Sequence, residues 1–78
     1  MTLYPNPSIN GNVTVVFKNG ASIYDVTLMD VNGRMLKQWN DTKGRSLNIN
    51  NLVPGFYNLR VVSRDSGQPM VEKFIVSH

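Results

Sequence analysis

The chain has 78 residues, a length that predicts one domain with a small hydrophobic core. It contains no cysteine, which excludes disulfides and thiolate chemistry. The eight Lys and Arg residues against five Asp and Glu give a net charge of +3, but these cations are scattered along the chain, so the composition does not favour nucleic-acid binding. No apolar run approaches the roughly 18 residues of a membrane span.

A stiff arm and a strand are predicted first. Pro5 and Pro7, two residues apart, forbid a helix and hold the segment 3–8 extended, with Tyr4 as its expected anchor. An Asn-Gly pair at 10–11 predicts a turn before the next strand. The apolar face of that strand carries Val13, Val15 and Phe17. The start of the chain leaves two alternatives open, because no signal peptide is recognisable: Met1 is an initiator, or the domain is excised from a longer precursor.

A β-hairpin is predicted between residues 23 and 39. Its apolar strands, 23–30 and 34–39, flank the segment Val31-Asn32-Gly33. A two-residue Asn-Gly turn would pair Leu28 with Lys37. A three-residue loop, with Gly33 left-handed as a bulge, shifts the pairing by one residue.

The three-residue loop is favoured because it brings similar side chains opposite one another across the hairpin. The apolar pairs that it forms are Leu28 with Leu36 and Met29 with Met35. It also sets Asp30 opposite Arg34 at the base of the loop. We expect these two to form an exposed ion pair that contributes no more than about 1 kcal/mol.

The segment 51–63 predicts a corner followed by a strand. Pro54 suits the first central position of a type II turn, and Gly55 suits the second, which requires a positive φ. Leu52 is expected to fill the space under the corner. The apolar face of the strand carries Tyr57, Leu59 and Val61. In immunoglobulin-like sandwiches a tyrosine at such a corner often bonds back to the backbone.

Two further strands, at 47–49 and 70–76, complete the pattern. Turn signals recur roughly every ten residues, and no segment has a helical period over three turns. The sequence therefore predicts an all-β fold, an immunoglobulin-like antiparallel β-sandwich of about seven strands, formed by residues 1–78 as a single domain.

The residues needed for catalysis or metal binding are sparse. His78 is the only histidine and stands at the end of the sequence, which argues against a triad or a histidine metal site. No serine has a base beside it. The carboxylates are spread over several elements: Asp25, Asp30, Asp41, Asp65 and Glu72. We predict no catalytic residue, no metal and no cofactor, and an enzyme is not expected.

Three motifs, taken in order, resemble the type A C-terminal sorting domain of the type IX (Por) secretion system of Bacteroidota. The first is Tyr4-Pro-Asn-Pro7 with Asn10-Gly11, and the second is Val26-x-Leu28-x-Asp30-x-x-Gly33-Arg34-x-Leu36. The third is Leu52-x-x-Gly55-x-Tyr57-x-Leu59-Arg60-Val61, with Lys73-Phe-Ile-Val76 near the end. The resemblance covers 3–76. It departs at Met29, where the family usually has an aromatic residue, and at Phe74, where a smaller aliphatic residue is common.

This resemblance implies a secretion signal rather than a catalyst. Such domains lie at the C-terminus of secreted precursors and direct an attached cargo from the periplasm across the outer membrane. The implied partners are the N-terminal cargo domain and the secretion machinery, including an outer-membrane shuttle and a sortase-like peptidase that commonly removes the domain and anchors the cargo to surface lipopolysaccharide. Neither nucleic acid nor stable membrane insertion is implied, and the expected destination is the cell surface or the medium.

Two sets of residues follow from these expectations. Partner recognition is predicted at the hairpin and at the last strand, which we expect to be an edge open to strand addition. The recognition residues are Asp30, Gly33, Arg34, Lys73, Phe74, Ile75 and Val76. The residues expected to hold the fold are Pro5, Pro7, Leu28, Leu36, Leu52, Pro54, Gly55, Tyr57, Leu59 and Val61.

The alternative function is a fibronectin-III-like adhesion or carbohydrate-binding module. It rests on the same Leu-x-Pro-Gly corner at 52–55. It leaves the Pro-Asn-Pro arm and the Asp-x-x-Gly-Arg hairpin unexplained. Trp39 could stack on a sugar ring, but a place in the core or at its rim is expected for it.

Overall fold

Seven antiparallel strands form two sheets in the computed structural model, which describes residues 1–77. The strands are β1 (Thr2–Tyr4), β2 (Val13–Val16), β3 (Tyr24–Asp30), β4 (Met35–Thr42), β5 (Ser46–Ile49), β6 (Gly55–Ser63) and β7 (Pro69–Val76). One sheet has the order β1-β2-β5, and the other has the order β4-β3-β6-β7. The predicted all-β, immunoglobulin-like sandwich is confirmed. His78, named above, lies outside the described residues.

The core lies between the two sheets because apolar side chains alternate along the central strands. In β6 the buried residues are Tyr57, Leu59 and Val61, as the alternation predicts, while Arg60 between them is exposed. The inner residues of the other strands complete one cluster: Leu3, Val13, Val15, Phe17, Tyr24, Val26, Leu28, Ile49, Leu52, Phe74 and Val76. Their burial is the main source of stability in so small a domain.

Tyr57 closes the corner before β6. Its hydroxyl donates a hydrogen bond to the Val53 carbonyl, as expected of a corner tyrosine. Its ring stacks on Phe74, with centroids 5.3 Å apart. Burial raises the pKa of the Tyr57 phenol, so the hydroxyl keeps the proton that it donates.

The predicted type II turn at Pro54-Gly55 is wrong. Gly55 has a φ of +158°, close to extended, and already begins β6. The left-handed residue of this region is Asn51, with a φ of 62°. The N–H of Leu52 donates to the Gly11 carbonyl at 3.0 Å, which ties the segment before β6 to the turn before β2.

The hairpin between β3 and β4 has the predicted three-residue loop. The N–H of Gly33 donates to the Asp30 carbonyl at 3.1 Å, and the N–H of Asp30 donates to the Arg34 carbonyl at 3.0 Å. Gly33 has a φ of +81°, which identifies it as the left-handed residue of the loop. Met29 faces Met35, as predicted.

Two details of the hairpin prediction are wrong. Leu28 pairs with Lys37 and not with Leu36, because the register shifts between Leu28 and Met29 and leaves Leu36 in a bulge, 43% exposed. The Asp30–Arg34 ion pair is not formed. The Asp30 carboxylate instead accepts the backbone N–H groups of Asn32 at 2.9 Å and Arg34 at 3.0 Å, which caps the loop.

The N-terminal arm is anchored by Leu3 and not by Tyr4. In β1 the Leu3 side chain is buried, whereas Tyr4 is exposed. The difference follows from the pairing of Leu3 with the buried Val15, which puts both side chains on the inner face of the sheet. Pro5 and Pro7 are exposed and carry the chain from β1 to the last strand, where Ser8 forms an isolated bridge with Val76.

Candidate recognition surface

The N-terminal arm covers part of the edge that β7 would otherwise expose. The N–H of Ile75 donates a hydrogen bond to the side-chain oxygen of Asn6 at 3.2 Å, and the side-chain nitrogen of Asn6 donates to the Lys73 carbonyl at 3.3 Å. The N–H of Ser8 donates to the Ile75 carbonyl, and the N–H of Ser77 donates to the Ser8 carbonyl, both at 2.8 Å. Strand addition as predicted for residues 73–76 is therefore blocked by the chain itself at Ile75 and at the Lys73 carbonyl.

The four recognition residues of β7 divide into two pairs. Phe74 and Val76 are buried, at 1% and 2% exposed, because the two-residue repeat of the strand turns them into the core. Lys73 and Ile75 point to the other face and are exposed. Phe74 therefore does not offer the surface grip expected of it, and Ile75 occupies that position.

The fold brings the hairpin and β7 to the same end of the four-stranded sheet. Asp30 pairs with Tyr57, which pairs in turn with Phe74. A groove of about 420 Å³ lies at this end. It is lined by Asn6, Val31, Phe56, Tyr57, Asn58, Lys73, Phe74 and Ile75. Gly33 and Arg34 lie in the exposed loop nearby but do not line the groove.

Phe56 is the largest of the groove residues that the sequence analysis assigned neither to recognition nor to the fold, the others being Asn6, Val31 and Asn58. Its side chain is 63% exposed and faces Ile75 across β6 and β7. A signal for it was present, since Phe56 is the one large apolar residue on the face of β6 opposite Tyr57 near the corner. An aromatic residue out of phase with the core alternation indicates an exposed apolar surface.

The opposite end of the sheet carries the ion pairs found within residues 1–77. The Arg64 guanidinium contacts Asp25 at 3.1 Å and also contacts Asp41. Hydrogen bonding from Arg64, aided by the backbone N–H of Asp41, lowers the pKa of the Asp25 carboxyl. These ion pairs link β3, β4 and the residue after β6. None of the three charged residues lines the groove.

Other kinds of site find little support in the described part of the chain. No group of three metal-ligating side chains occurs within residues 1–77. Every buried side-chain nitrogen or oxygen atom there has a hydrogen-bond partner. Residues 1–77 contain no helix that is long and apolar enough to cross a membrane.

The two sheets and their shared core define a β-sandwich domain with an exposed groove at one end of the four-stranded sheet. The family of secretion system C-terminal sorting domains matches residues 2–77, nearly the whole chain. The chain belongs to this family, and it is a C-terminal sorting signal of type IX secretion. The resemblance inferred from the three motifs is confirmed, and the adhesion module is not favoured.

A solved structure of PorZ, an essential bacterial surface component of the type IX secretion system of Porphyromonas gingivalis, has the same fold. The TM-score is 0.79 at 23% sequence identity, over 99% of this chain and 11% of the PorZ chain. This chain thus corresponds to about a tenth of PorZ, and the likeness concerns the fold alone. No curated protein matches the chain.

Proposed function

We propose that residues 1–78 form a single C-terminal domain of a longer secreted precursor and carry its cargo through the periplasm to the cell surface. The family match over residues 2–77 is the observation that carries this proposal. In this proposal an outer-membrane shuttle of the type IX machinery reads the folded domain. A sortase-like peptidase then separates it from the cargo, which becomes attached to the surface or is released.

The geometry supports recognition at the groove end of the four-stranded sheet. Lys73 and Ile75 project from β7 there, and Asp30, Gly33 and Arg34 form the rigid loop beside it. The positive φ of Gly33 and the capping by Asp30 hold the loop in one shape. The charged side chain of Arg34 on such a loop would give the machinery a fixed feature to recognise.

A catalytic role has no support in this arrangement. The family consists of sorting signals and is not catalytic. We infer from this that the domain is a ligand of the machinery and that any chemistry is performed by the peptidase. Trp39 is half-buried and packs against the core cluster, which supports a structural role for it over a sugar platform.

The test is a fusion of this chain to the C-terminus of a folded reporter that carries a signal peptide, in a host with type IX secretion. We expect the reporter outside the cell with the intact chain and in the periplasm without it. Lys73→Ala and Ile75→Ser should reduce export, because both side chains line the groove at which we propose recognition. Both side chains are exposed, so neither change removes core volume. A reporter that stays in the periplasm with the intact chain would contradict the proposal.

Folding must be separated from recognition in this assay. Deletion of residues 73–78 would also remove Phe74 and Val76 from the core, so the deletion reports on both. Point variants of exposed residues avoid this difficulty. Lys18→Ala is the matched control, since it removes an exposed lysine that does not line the groove. Thermal melting of each isolated domain then shows whether lost export comes with lost folding.

A further inference from the structure

The outer face of the four-stranded sheet has an apolar surface that the core does not account for. Phe56 and Ile75 face each other across β6 and β7, and Met29 and Met35 face each other across β3 and β4. Val31, at the start of the loop, is 62% exposed beside them. Phe56, Ile75 and Val31 line the groove, and Met29, which pairs with the groove residue Asn58, extends the apolar surface along the same face to Met35. Contiguous exposed apolar side chains of this kind mark interaction sites more often than isolated ones.

Positive charge adjoins this surface without a neutralising partner. Asn58 pairs with Lys73, and the next pair along the same face is Arg60 with Val71. Neither Lys73 nor Arg60 forms an ion pair within residues 1–77, where both ion pairs belong to Arg64. The nearest hairpin carboxylate, that of Asp30, is occupied by backbone N–H groups. The groove is therefore apolar with a cationic border.

The size of the groove indicates what fits it. A volume of about 420 Å³ has room for apolar side chains of a bound segment and lies within the range of ordinary ligand pockets. Asn58, which lines the groove and is half-buried, presents a side-chain amide for polar contacts with a bound segment. A second copy of the domain is disfavoured, because it would bring Lys73 and Arg60 of both copies together.

We propose that this groove, the acidic-peptide groove, binds an extended segment of a partner protein in which apolar and acidic side chains alternate. One apolar side chain lies between Phe56 and Ile75, and the neighbouring carboxylates face Lys73 and Arg60. The inference rests on the proposed function, since it assigns the segment to a component of the machinery that reads the domain. A membrane surface is the weaker candidate, because lipid recognition generally uses clusters of about four to eight cations.

Titration of the ¹⁵N-labelled 78-residue chain with three capped peptides of about ten residues tests the proposal. One peptide alternates leucine and glutamate, one alternates leucine and lysine, and one alternates serine and glutamate. We expect the first to shift the amide signals of Phe56, Asn58, Lys73 and Ile75 and to bind at least about tenfold more tightly than the others. Equal binding of all three, or shifts only at other positions, would overturn the proposal.

Variants identify the contribution of each chemical feature. Lys73→Glu should weaken binding of the leucine–glutamate peptide about tenfold, and Lys18→Glu, with the same charge change away from the groove, should leave it unchanged. Phe56→Ser should abolish the shifts with little change in thermal melting, because its side chain is exposed. A Lys73→Glu and Arg60→Glu double variant should prefer the leucine–lysine peptide. Equal effects of the two single lysine variants would contradict the assignment.

Three further results separate this inference from its alternatives. If phosphatidylglycerol vesicles shift the groove signals and none of the peptides does, the surface binds lipid and the peptide assignment is wrong. If the reporter fusion is exported but Phe56→Ser exports as well as the parent, the sorting function stands and the groove is not its reading site. If the peptide binds but the intact fusion stays in the periplasm, the groove stands and the sorting function fails.

Discussion

The two edges of the four-stranded sheet differ in how far the chain covers them. At β7 the arm residues Asn6 and Ser8 bond to the backbone of the strand, and Phe74 and Val76 anchor it in the core. At β4 no residue is buried, and the strand pairs with β3 alone. The C-terminal half of the β7 edge is thus covered by the chain, and the β4 edge is left open to solvent.

The β4 edge is protected by irregularity and charge. Its register with β3 shifts twice, and Asp41 within it has a φ of 58°. Lys37 pairs with the buried Leu28 and so stands on the inward face of the edge strand. Bulges and inward lysines both hinder a second strand from adding to an exposed edge. Part of the β7 backbone is therefore protected by hydrogen bonds from the arm, whereas the unpaired β4 edge is protected by its bulges and its inward lysine.

The largest difference between the edges should appear in core truncations. Phe74→Ala in β7 removes a buried ring that stacks on Tyr57, and we expect it to lower the free energy of unfolding by about 3–5 kcal/mol. Leu36→Ala in β4 should cost less than about 1 kcal/mol, because Leu36 lies in an exposed bulge. Urea unfolding of the two variants measures both. Similar losses would show that β4 is packed as firmly as β7.

The loop that begins β4 should be the next most sensitive feature. Gly33→Val should cost roughly 2 kcal/mol, since an added Cβ meets no atom within 4 Å and the penalty comes from the positive φ alone. Gly33→Asn, which tolerates this conformation better, is the matched comparison and should cost less. Thermal melting ranks the two variants. Equal losses would argue that something other than the backbone conformation limits position 33.

Removal of the arm contact at β7 should have a moderate and local effect. Asn6→Ala deletes two hydrogen bonds to β7 and should lower stability by about 1 kcal/mol. Amide hydrogen exchange at Ile75 should become faster, while exchange at buried Leu59 should follow only the global change. Asn50→Ala, which removes the same side chain from an exposed position away from β7, is the control. Unchanged exchange at Ile75 would mean that the arm does not close this edge.

The smallest effect is expected at the far end of β4. Arg64→Met removes the partner that lowers the pKa of Asp25 below its ordinary value of 3.8. Because this pKa is depressed in the folded state, the stability gained from the pair is present above the ordinary value and is lost as the pH falls through the folded one. The melting temperatures of the parent and the variant should therefore differ slightly at pH 7 and converge in acid. Lys18→Met, the control for loss of one cation, should show no such convergence.

The sequence by itself determined the sandwich, its buried faces and its family. Period-two alternation placed Tyr57, Leu59 and Val61 on one face, because a strand exposes its sides in turn whatever it packs against. The positive φ at Gly33 and the bond from Tyr57 to the corner were also foreseeable, since both depend on residues close in sequence. The three motifs identified the family because their residues, order and spacing are read directly from the sequence.

Only the tertiary structure decided how the edges and the groove are made. The arm reaches β7 across a sequence separation of 69 residues between Asn6 and Ile75, and no local pattern encodes that contact. The bulge that exposes Leu36 depends on how β3 and β4 settle in register, which the apolar pattern alone assigned differently. Phe56 becomes a groove residue because Ile75 pairs with it and Val31 lies beside them. The groove is assembled from four segments that are distant in sequence, and long-range packing alone brings them together.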